Sequence, residues 1–477
     1  MVFLLTVLFY FVILMAISRW TSRRATNESF YRGDRQSPWY MVAFGMVGAS
    51  ISGVTFVSVP GMVTGIGMTY LQTCMGFILG YVVIAFVLLP LYYRLNLTTI
   101  YSYLGQRIGR RAYKTGASFF LLSKMTGAAV RFYVVCWILM TCGLGTDDGV
   151  TFAVVVVAMT ALIWLYTRQG GIKTLVWTDA LQTLCLFGAL LLIIYKVMGE
   201  LGMTMGDAVA AIRGSEMARV LVMDDWMSKQ YFWKQFLSGA FIAIVMTGLD
   251  QDMMQKNLTC RSLCDAQKDM CSYGVAFLPA NLLFLSLGVL LVLWFRQQGG
   301  AVPEAGDELL PQFISLTSHL SPLTSVVFML GMVAAAFSSA DSALTALTTS
   351  YCVDICGRAD DERLRRRVHV GMAVVFVFFI LLFRVLNSTS VIDAIYILCS
   401  YTYGPLLGLF AFGLLTKRHT NDHWVPYICV ASPIVCYFLD MLVGQLTNYH
   451  FGYELLMLNG LLTLAGLWIS SPKTRSV

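Results

Sequence analysis

Long apolar stretches separated by short polar segments account for most of this chain. There are thirteen such runs, and they cover residues 2–18, 38–62, 69–93, 117–142, 149–167, 174–197, 231–249, 271–295, 323–350, 369–387, 391–415, 423–444 and 453–470. Most of them reach the roughly 18 residues that an α-helix needs to cross the hydrocarbon core of a bilayer. The pattern predicts an all-α integral membrane protein with about 13 transmembrane helices. We number the runs one to thirteen in chain order.

The composition agrees with a membrane protein. Hydrophobic residues make up 58% of the chain and charged residues only 12%, whereas a soluble domain averages about a quarter charged. No segment between the runs is long enough for a separate soluble domain, so we expect residues 1–477 to form a single transmembrane domain. The first run lacks a preceding basic stretch, and we interpret it as a retained helix rather than a signal peptide.

Basic residues fall mainly in alternate loops. If the N-terminus lies outside, the loops after the odd-numbered runs and the C-terminal tail face the cytoplasm, and they contain most of the 33 Lys and Arg residues, Lys256 included. Because cytoplasmic loops are enriched in Lys and Arg, we expect an external N-terminus and a cytoplasmic C-terminus. The net charge of +7 therefore requires no nucleic-acid partner.

Run two is unusually rich in glycine and small hydroxyl residues. It contains Gly45, Gly48 and Gly53, with Ser50, Ser52 and Thr55 among them. Such residues lower the cost of unwinding a helix inside the membrane, where freed carbonyls can bind a ligand. The same residues also allow two helices to pack closely. The sequence leaves both interpretations open.

Run nine contains an oxygen-rich face. At 100° per residue, Ala335, Ser338, Ser339 and Ser342 share one side of a helix, and Asp341 lies at its edge. Hydroxyl and carbonyl oxygens with little charge suit a hard monovalent cation such as Na⁺, by the preference that governs other hard cations. A single serine usually bonds back to its own helix, but a carboxylate within the membrane is costly and usually functional.

Among the other charged residues inside the apolar runs, three are candidates for a functional role. Asp179 in run six needs a cation, an arginine or a proton as a partner. In run four, Lys124 and Arg131 lie two turns apart on one helical face. Either Arg131 pairs with a protein carboxylate, or it faces a cavity and binds an anionic ligand. Gln72, at the start of run three, is an uncharged donor that could line the same cavity, together with Ser52 and Thr55 of run two.

Five motifs resemble those of the sodium/solute symporter family, whose members carry sialic acid, proline, sugars, pantothenate and monocarboxylates with sodium. The motifs are "GASISGVTF" (48–56), "GGIKTLVWTDALQ" (170–182), "GLDQDMMQ" (248–255), "AAFSSADSAL" (335–344) and "YTYGPLLGLFAFG" (401–413). The resemblance implies the leucine-transporter (LeuT) fold, which has two inverted repeats of five helices. The repeats would span about 38–197 and 231–415, with one additional N-terminal helix (2–18) and two C-terminal helices (423–444 and 453–470).

The resemblance also implies ligands for sodium. One ion, at the site called Na2, would be held by the carbonyls of Gly48, Ile51 and Ala335 and the hydroxyls of Ser338 and Ser339. A second ion, found in some sialic acid carriers, would match Asp179, Ser338, Asp341 and Ser342. This chain has an aspartate at position 341 where a serine is expected, and the aspartate would either strengthen a cation site or carry a proton. The substrate positions of those carriers match Ser50, Ser52, Thr55, Gln72 and Arg131, with Arg131 on the substrate carboxylate.

We therefore expect a sodium-coupled symporter of a small organic solute, not an enzyme, in a bacterial cytoplasmic membrane. Arg131 favours a carboxylate-bearing solute such as sialic acid. The alternatives are a neutral sugar or polyol, with Arg131 held by a protein acid, or a membrane sensor that binds solute without moving it. An ion channel is disfavoured. The expected partners are sodium, the solute and the bilayer, with the protein acting as a monomer.

Overall fold

The computed structural model describes residues 2–23, 25–146, 148–317, 322–386, 391–447, 449 and 451–471. Arg24 and the tail beyond residue 471, which the orientation argument also used, lie outside these ranges. The α-helices in chain order are α1 (Val2–Thr21), α2 (Asn27–Arg32), α3 (Trp39–Ser50), α4 (Gly53–Ile66), α5 (Tyr70–Val83), α6 (Leu89–Arg94), α7 (Ser102–Arg107), α8 (Arg110–Ile138), α9 (Gly149–Thr167), α10 (Ile172–Leu201), α11 (Met205–Gly214), α12 (Phe232–Ala243), α13 (Gln251–Asn257), α14 (Leu263–Gln297), α15 (Leu309–Thr317), α16 (Pro322–Ser350), α17 (Glu362–Leu386), α18 (Val391–Leu415), α19 (Val425–Thr447) and α20 (Leu455–Ile469). π-Helical turns extend four of the segments, at Ile84–Leu88, Leu139–Leu144, Ile244–Gly248 and Tyr351–Ile355.

The architecture confirms the prediction of an all-helical membrane protein. Within the described ranges, the only β pairing is an isolated bridge between Ser37 and Cys260. Eight helices of the described residues are long and apolar enough to cross a membrane, and the number reaches ten if each of two sharply bent helix pairs counts as one span. Three shorter apolar helices, Val7–Thr21, Cys399–Leu415 and Leu455–Ile469, lie where runs one, eleven and thirteen predict helices.

The first bent pair lies in run two. Helices α3 and α4 meet at an angle of 61°, because Ile51 and Ser52 leave the helical conformation, with ψ angles of 85° and 170°. Close packing also occurs here. A Cβ atom at Gly48 would lie 1.9 Å from Thr183 Oγ1, and one at Gly45 would lie 3.0 Å from Asp179 Cβ, both on α10. Glycine in run two thus serves both of the roles that the sequence left open.

The second bent pair corrects the interpretation of run seven. The apolar run ends at residue 249, but the chain turns by 70° and continues inside the protein as α13. Every residue of α13 is buried, including Lys256, whose residue is 1% exposed. The prediction that Lys256 lies in a cytoplasmic loop is therefore wrong. Hydropathy alone ends the run at its first charged residue, whereas Lys256 is neutralised by a tertiary contact.

Helix α16, which contains the oxygen-rich face of run nine, lies at the centre of the fold. It contacts α3, α4, α8, α10 and α13, and Ala335, Ser338, Asp341 and Ser342 are each at most 1% exposed. The face therefore meets other helices of the protein rather than lipid. This arrangement brings α16 into contact with both bent pairs and with Asp179 of α10.

Candidate functional site

A cavity lies between the two bent pairs and helices α5, α8, α14, α16 and α18. Its lining consists of Ala49, Ser50, Ser52, Val54, Thr55, Tyr70, Phe77, Tyr81, Ser123, Lys124, Gly127, Ala128, Arg131, Ile242, Ala243, Met246, Thr247, Asp250, Asp252, Met253, Tyr273, Phe277, Ser339, Cys399 and Tyr403. The lining includes six aromatic rings and four charged side chains. A pocket that combines apolar walls with a few placed polar groups is typical of a small-molecule site.

Lys124 is neutralised by two carboxylates of the second break. Its Nζ lies 2.6 Å from Asp252 Oδ2 and 3.3 Å from Asp250 Oδ2. Asp250 also accepts hydrogen bonds from the Tyr403 hydroxyl and from the backbone N–H of Asp252, the latter at 2.8 Å. The positive charge of Lys124 is therefore already balanced by carboxylates of the protein.

Arg131 differs from Lys124. It lines the cavity and is partly exposed to it. Among the ion pairs formed by the described residues, none includes Arg131. Of the two alternatives that the sequence left open, the geometry favours the one in which Arg131 faces a cavity.

The expected substrate residues separate into two groups. Ser50, Ser52 and Thr55 line the cavity, and Ser50 Oγ lies 2.6 Å from the Tyr273 hydroxyl. Gln72 is not part of that lining. Its amide donates to the Gln230 carbonyl at 2.9 Å and accepts from the N–H of Val222 at 3.0 Å, so the structure ties it to the segment before α12.

The residues implied for Na2 lie on the first break and on α16, and α16 contacts both α3 and α4. No hydrogen bond from the described residues ends on the carbonyl oxygens of Gly48 or Ile51; the backbone bonds at this break run from Ile51 N–H to Val47 and from Phe56 N–H to Ser52. Ser339 Oγ is buried and, within the described part of the chain, has no hydrogen-bond partner. Buried oxygens without partners are costly unless a ligand satisfies them, so these atoms fit a cation.

Ser338 connects this site to α10. Its hydroxyl donates to Asp179 Oδ1 at 2.9 Å. A hydroxyl that donates its proton to a carboxylate keeps its lone pairs for another contact. The oxygen of Ser338 therefore keeps lone pairs that can coordinate a cation.

One residue implied for a second sodium site, Asp179, pairs with a lysine that the sequence interpretation missed. Lys256 Nζ lies 2.8 Å from Asp179 Oδ2, and both side chains are almost completely buried. The two atoms are close enough for an ion pair, although their angle is poor for a hydrogen bond. Asp341 Oδ2 accepts from the Tyr166 hydroxyl at 2.5 Å. The signal that was available in the sequence is the group of charges at 250, 252 and 256, directly after an apolar run.

Solved structures share this fold. A Na⁺-coupled sialic acid symporter, determined in a substrate-bound, outward-open state that revealed a novel Na⁺ site, superposes with a TM-score of 0.83 at 19% identity, covering 98% of this chain and 97% of that one. A nucleobase-cation symporter in a closed conformation superposes with a TM-score of 0.57 at 13% identity, covering 94% of each chain. At these identities the likeness establishes the fold.

Sequence comparisons point to sodium-coupled carriers. The sodium/sialic acid symporter SiaT of Proteus mirabilis is 23% identical over 427 residues, which cover 83% of this chain and 81% of the relative. The human sodium/iodide cotransporter is 21% identical, covering 81% of this chain but 61% of its own length. The mouse sodium-coupled monocarboxylate transporter 2 is 23% identical, covering 82% and 64%. The profile of the sodium:solute symporter family matches residues 30–423. The chain belongs to the sodium:solute symporter family, whose members are carriers coupled to sodium and not enzymes.

Proposed function

We propose that this protein couples the entry of Na⁺ to the uptake of a carboxylate-bearing solute such as sialic acid. The observation that carries the proposal is a difference in ion pairing between two cationic side chains of the cavity, Lys124 and Arg131. Lys124 is paired with Asp250 and Asp252, whereas Arg131 borders the cavity outside every ion pair of the described residues. A guanidinium binds a carboxylate through two parallel hydrogen bonds.

The names of the relatives support an anionic solute. They are a sialic acid symporter, an iodide cotransporter and a monocarboxylate transporter, and all three substrates carry negative charge. The cavity itself contains two cationic and two acidic side chains. An anion that enters this balanced site brings an uncompensated charge, which a co-bound Na⁺ offsets.

We assign the coupling ion to the Na2 residues. The ligands would be the carbonyls of Gly48, Ile51 and Ala335 and the hydroxyls of Ser338 and Ser339. Ser339 belongs both to this set and to the cavity lining, so the ion and the solute would be neighbours. Sodium would join the first break to α16 and favour the outward-open state, and inward opening would separate these elements and release the ion. Each ligand would raise the affinity of the other by the same factor.

The finer architecture follows from the positions of the two breaks. They interrupt runs two and seven, which are the first helices of the segments 38–197 and 231–415. A matching irregularity at equivalent positions of two halves is the pattern expected of inverted repeats. We infer that all thirteen runs cross a bacterial inner membrane, with the N-terminus outside and the C-terminus in the cytoplasm, and that a lipid-embedded monomer is the working unit.

Uptake into proteoliposomes tests the proposal. Sialic acid, a monocarboxylate and a neutral sugar would each be supplied with an inward sodium gradient, and again with potassium in place of sodium. We expect accumulation of an acid that requires sodium. Accumulation that potassium supports equally would contradict sodium coupling, and binding without accumulation would favour the sensor alternative.

Arg131→Ala separates the acid from a neutral solute. We expect it to abolish uptake of the acid, because a carboxylate would lose its cationic partner in the cavity. Uptake of a neutral sugar by the wild type that survives in Arg131→Ala would instead favour the sugar or polyol alternative. Arg366→Ala is the control, since Arg366 is an exposed residue paired with Glu362 on α17.

A further inference from the structure

The ammonium group of Lys256 contacts Asp179, one of the residues that the family resemblance implies for a second sodium ion. It is 2.8 Å from Asp179 Oδ2, while Ser338 donates to the other oxygen of the same carboxylate. Lys256 also interacts electrostatically with Asp341. Asp179, and through it Ser338, is therefore joined to a cation that the chain itself provides.

Helix α13 holds this cation in place through the two neighbours of Lys256. Gln255 donates to the Tyr31 carbonyl at 2.8 Å and to Thr349 Oγ1 at 3.1 Å. Asn257 donates to Asp269 Oδ2 at 2.6 Å and to the Ala266 carbonyl at 3.1 Å. Both neighbours are buried. Because these bonds tie α13 to three other parts of the chain, its lysine has a fixed position.

The remaining polar groups of the cluster have unfilled bonding capacity. Within the described ranges, Asp341 Oδ1, Ser342 Oγ and both ends of the Gln182 amide are buried without a hydrogen-bond partner. A site with two carboxylates and several free oxygens would attract a small cation if Lys256 were removed. With Lys256 present, the Asp179 carboxylate is already neutralised.

We propose that the Lys256 ammonium is a resident cation that replaces a second sodium ion at Asp179, Ser338, Asp341 and Ser342, so that each transport cycle carries one Na⁺. This inference rests on the proposed sodium symport. Asp179 accepts the Ser338 hydroxyl through one carboxylate oxygen and contacts the resident ammonium group through the other. Through Asp179, Lys256 thereby positions Ser338, a proposed ligand of the Na2 ion. Unlike a second sodium ion, the lysine stays in the protein throughout the cycle.

The number of sodium ions bound to the purified full-length protein tests the inference. In a titration with radioactive sodium, we expect the wild type to bind one ion with a Hill coefficient of about 1, since the coefficient cannot exceed the number of interacting sites. Wild-type protein that binds two ions would overturn the inference while leaving sodium symport intact. Wild-type protein that binds no sodium and shows no sodium-dependent uptake would instead contradict the proposed function.

Lys256→Met removes the charge and keeps a long apolar side chain. We expect this variant to bind two sodium ions, with a Hill coefficient rising toward about 2, because the vacated acidic cluster becomes a cation site. A folded Lys256→Met variant that still binds one ion would overturn the inference. Lys173→Met is the matched control, since Lys173 forms a 2.8 Å pair with Asp34 that is partly exposed, and it should bind one ion.

The double variant Lys256→Met with Asp179→Asn covers the case in which Lys256→Met alone fails to fold. It removes both charges of the buried pair, so we expect it to fold and to bind one ion at most. Binding of two ions by the double variant would overturn the inference. An inward proton gradient that increases wild-type uptake at constant sodium, but has no effect on the double variant, would also overturn the inference. The buried pair of Lys256 and Asp179 would then carry a proton instead of holding a fixed charge.

Discussion

The two helix breaks bend by similar angles, 61° and 70°, yet their chemistry is different. At the first break, no hydrogen bond from the described residues reaches the carbonyls of Gly48 or Ile51. At the second break, the Tyr92 hydroxyl donates to the Gly248 carbonyl at 2.9 Å, and the Tyr101 hydroxyl donates to the Leu249 carbonyl at 2.8 Å.

The two breaks also differ in their charged residues. The first break carries only glycine, serine and apolar residues, whereas the second is followed by Asp250, Asp252 and Lys256, all buried. Asp250 caps α13, and the three charges are paired with Lys124 and Asp179. An unwound segment with free oxygens can bind and release an ion, while one saturated by protein partners is a fixed joint. We therefore place the reversible step of transport at the first break.

The largest expected effect is a loss of protein stability when the contacts that hold the second break are removed. Asp250→Ala removes an acceptor of Lys124, the partner of the Tyr403 hydroxyl and the cap of α13. Because it leaves buried groups without partners, we expect a loss of about 3–5 kcal/mol in the free energy of unfolding, measured by thermal or denaturant unfolding in detergent. Asp207→Ala, in the exposed capping box of α11, should cost about 1 kcal/mol or less. Equal losses in both variants would contradict the assignment of the second break as a fixed joint.

A smaller effect is expected from crowding the first break. Gly48→Ala places a Cβ 1.9 Å from Thr183 Oγ1 and 2.9 Å from Thr183 Cα, so α3 must move away from α10. Overpacking of this kind costs about 1–3 kcal/mol, and the shifted Gly48 carbonyl should raise the sodium concentration for half-maximal uptake.

Gly188→Ala is the matched control for Gly48→Ala. It lies on α10, where an added Cβ meets nothing within 4 Å, so its stability should stay the same or rise. A Gly48→Ala protein with wild-type stability and sodium dependence would show that the first break tolerates displacement.

The smallest change removes one uncharged ligand. Ser339→Ala deletes a buried hydroxyl that has no hydrogen-bond partner among the described residues. We expect an approximately tenfold higher sodium concentration for half-maximal uptake, which corresponds to about 1.4 kcal/mol of ion binding, with little change in protein stability. Ser238→Ala deletes another buried hydroxyl without a partner in the described part of the chain, but on α12. The same shift in both variants would argue against a specific role for Ser339.

The sequence predicts the helical fold, offers the first break as one of two alternatives, and does not predict the second break. Hydropathy predicts the membrane helices, and the glycine and serine content of run two favours either a break or close packing, because both depend on local composition. Hydropathy predicts a loop at Lys256, because the apolar run before it ends at residue 249. The pairing of Lys256 with Asp179 is a contact between distant parts of the chain, and composition contains no information about it.

Gln72 is a second residue whose partner the sequence does not identify. A glutamine at the start of a membrane helix suggests a cavity residue, but the backbone at Val222 and Gln230 satisfies both ends of its amide. The choice between a ligand contact and a protein contact depends on how the segment before α12 folds back over α5. Residue type and spacing predict that a polar group needs a partner, and they do not identify which partner it has.

Sodium binding to the purified protein, compared between the wild type and the Ser338→Ala, Ser339→Ala double variant, tests most directly whether the first break and α16 share one ion. The account predicts saturable binding of a single sodium ion to the wild type and its loss in a double variant that remains folded. Undiminished sodium binding by that folded double variant would contradict the account.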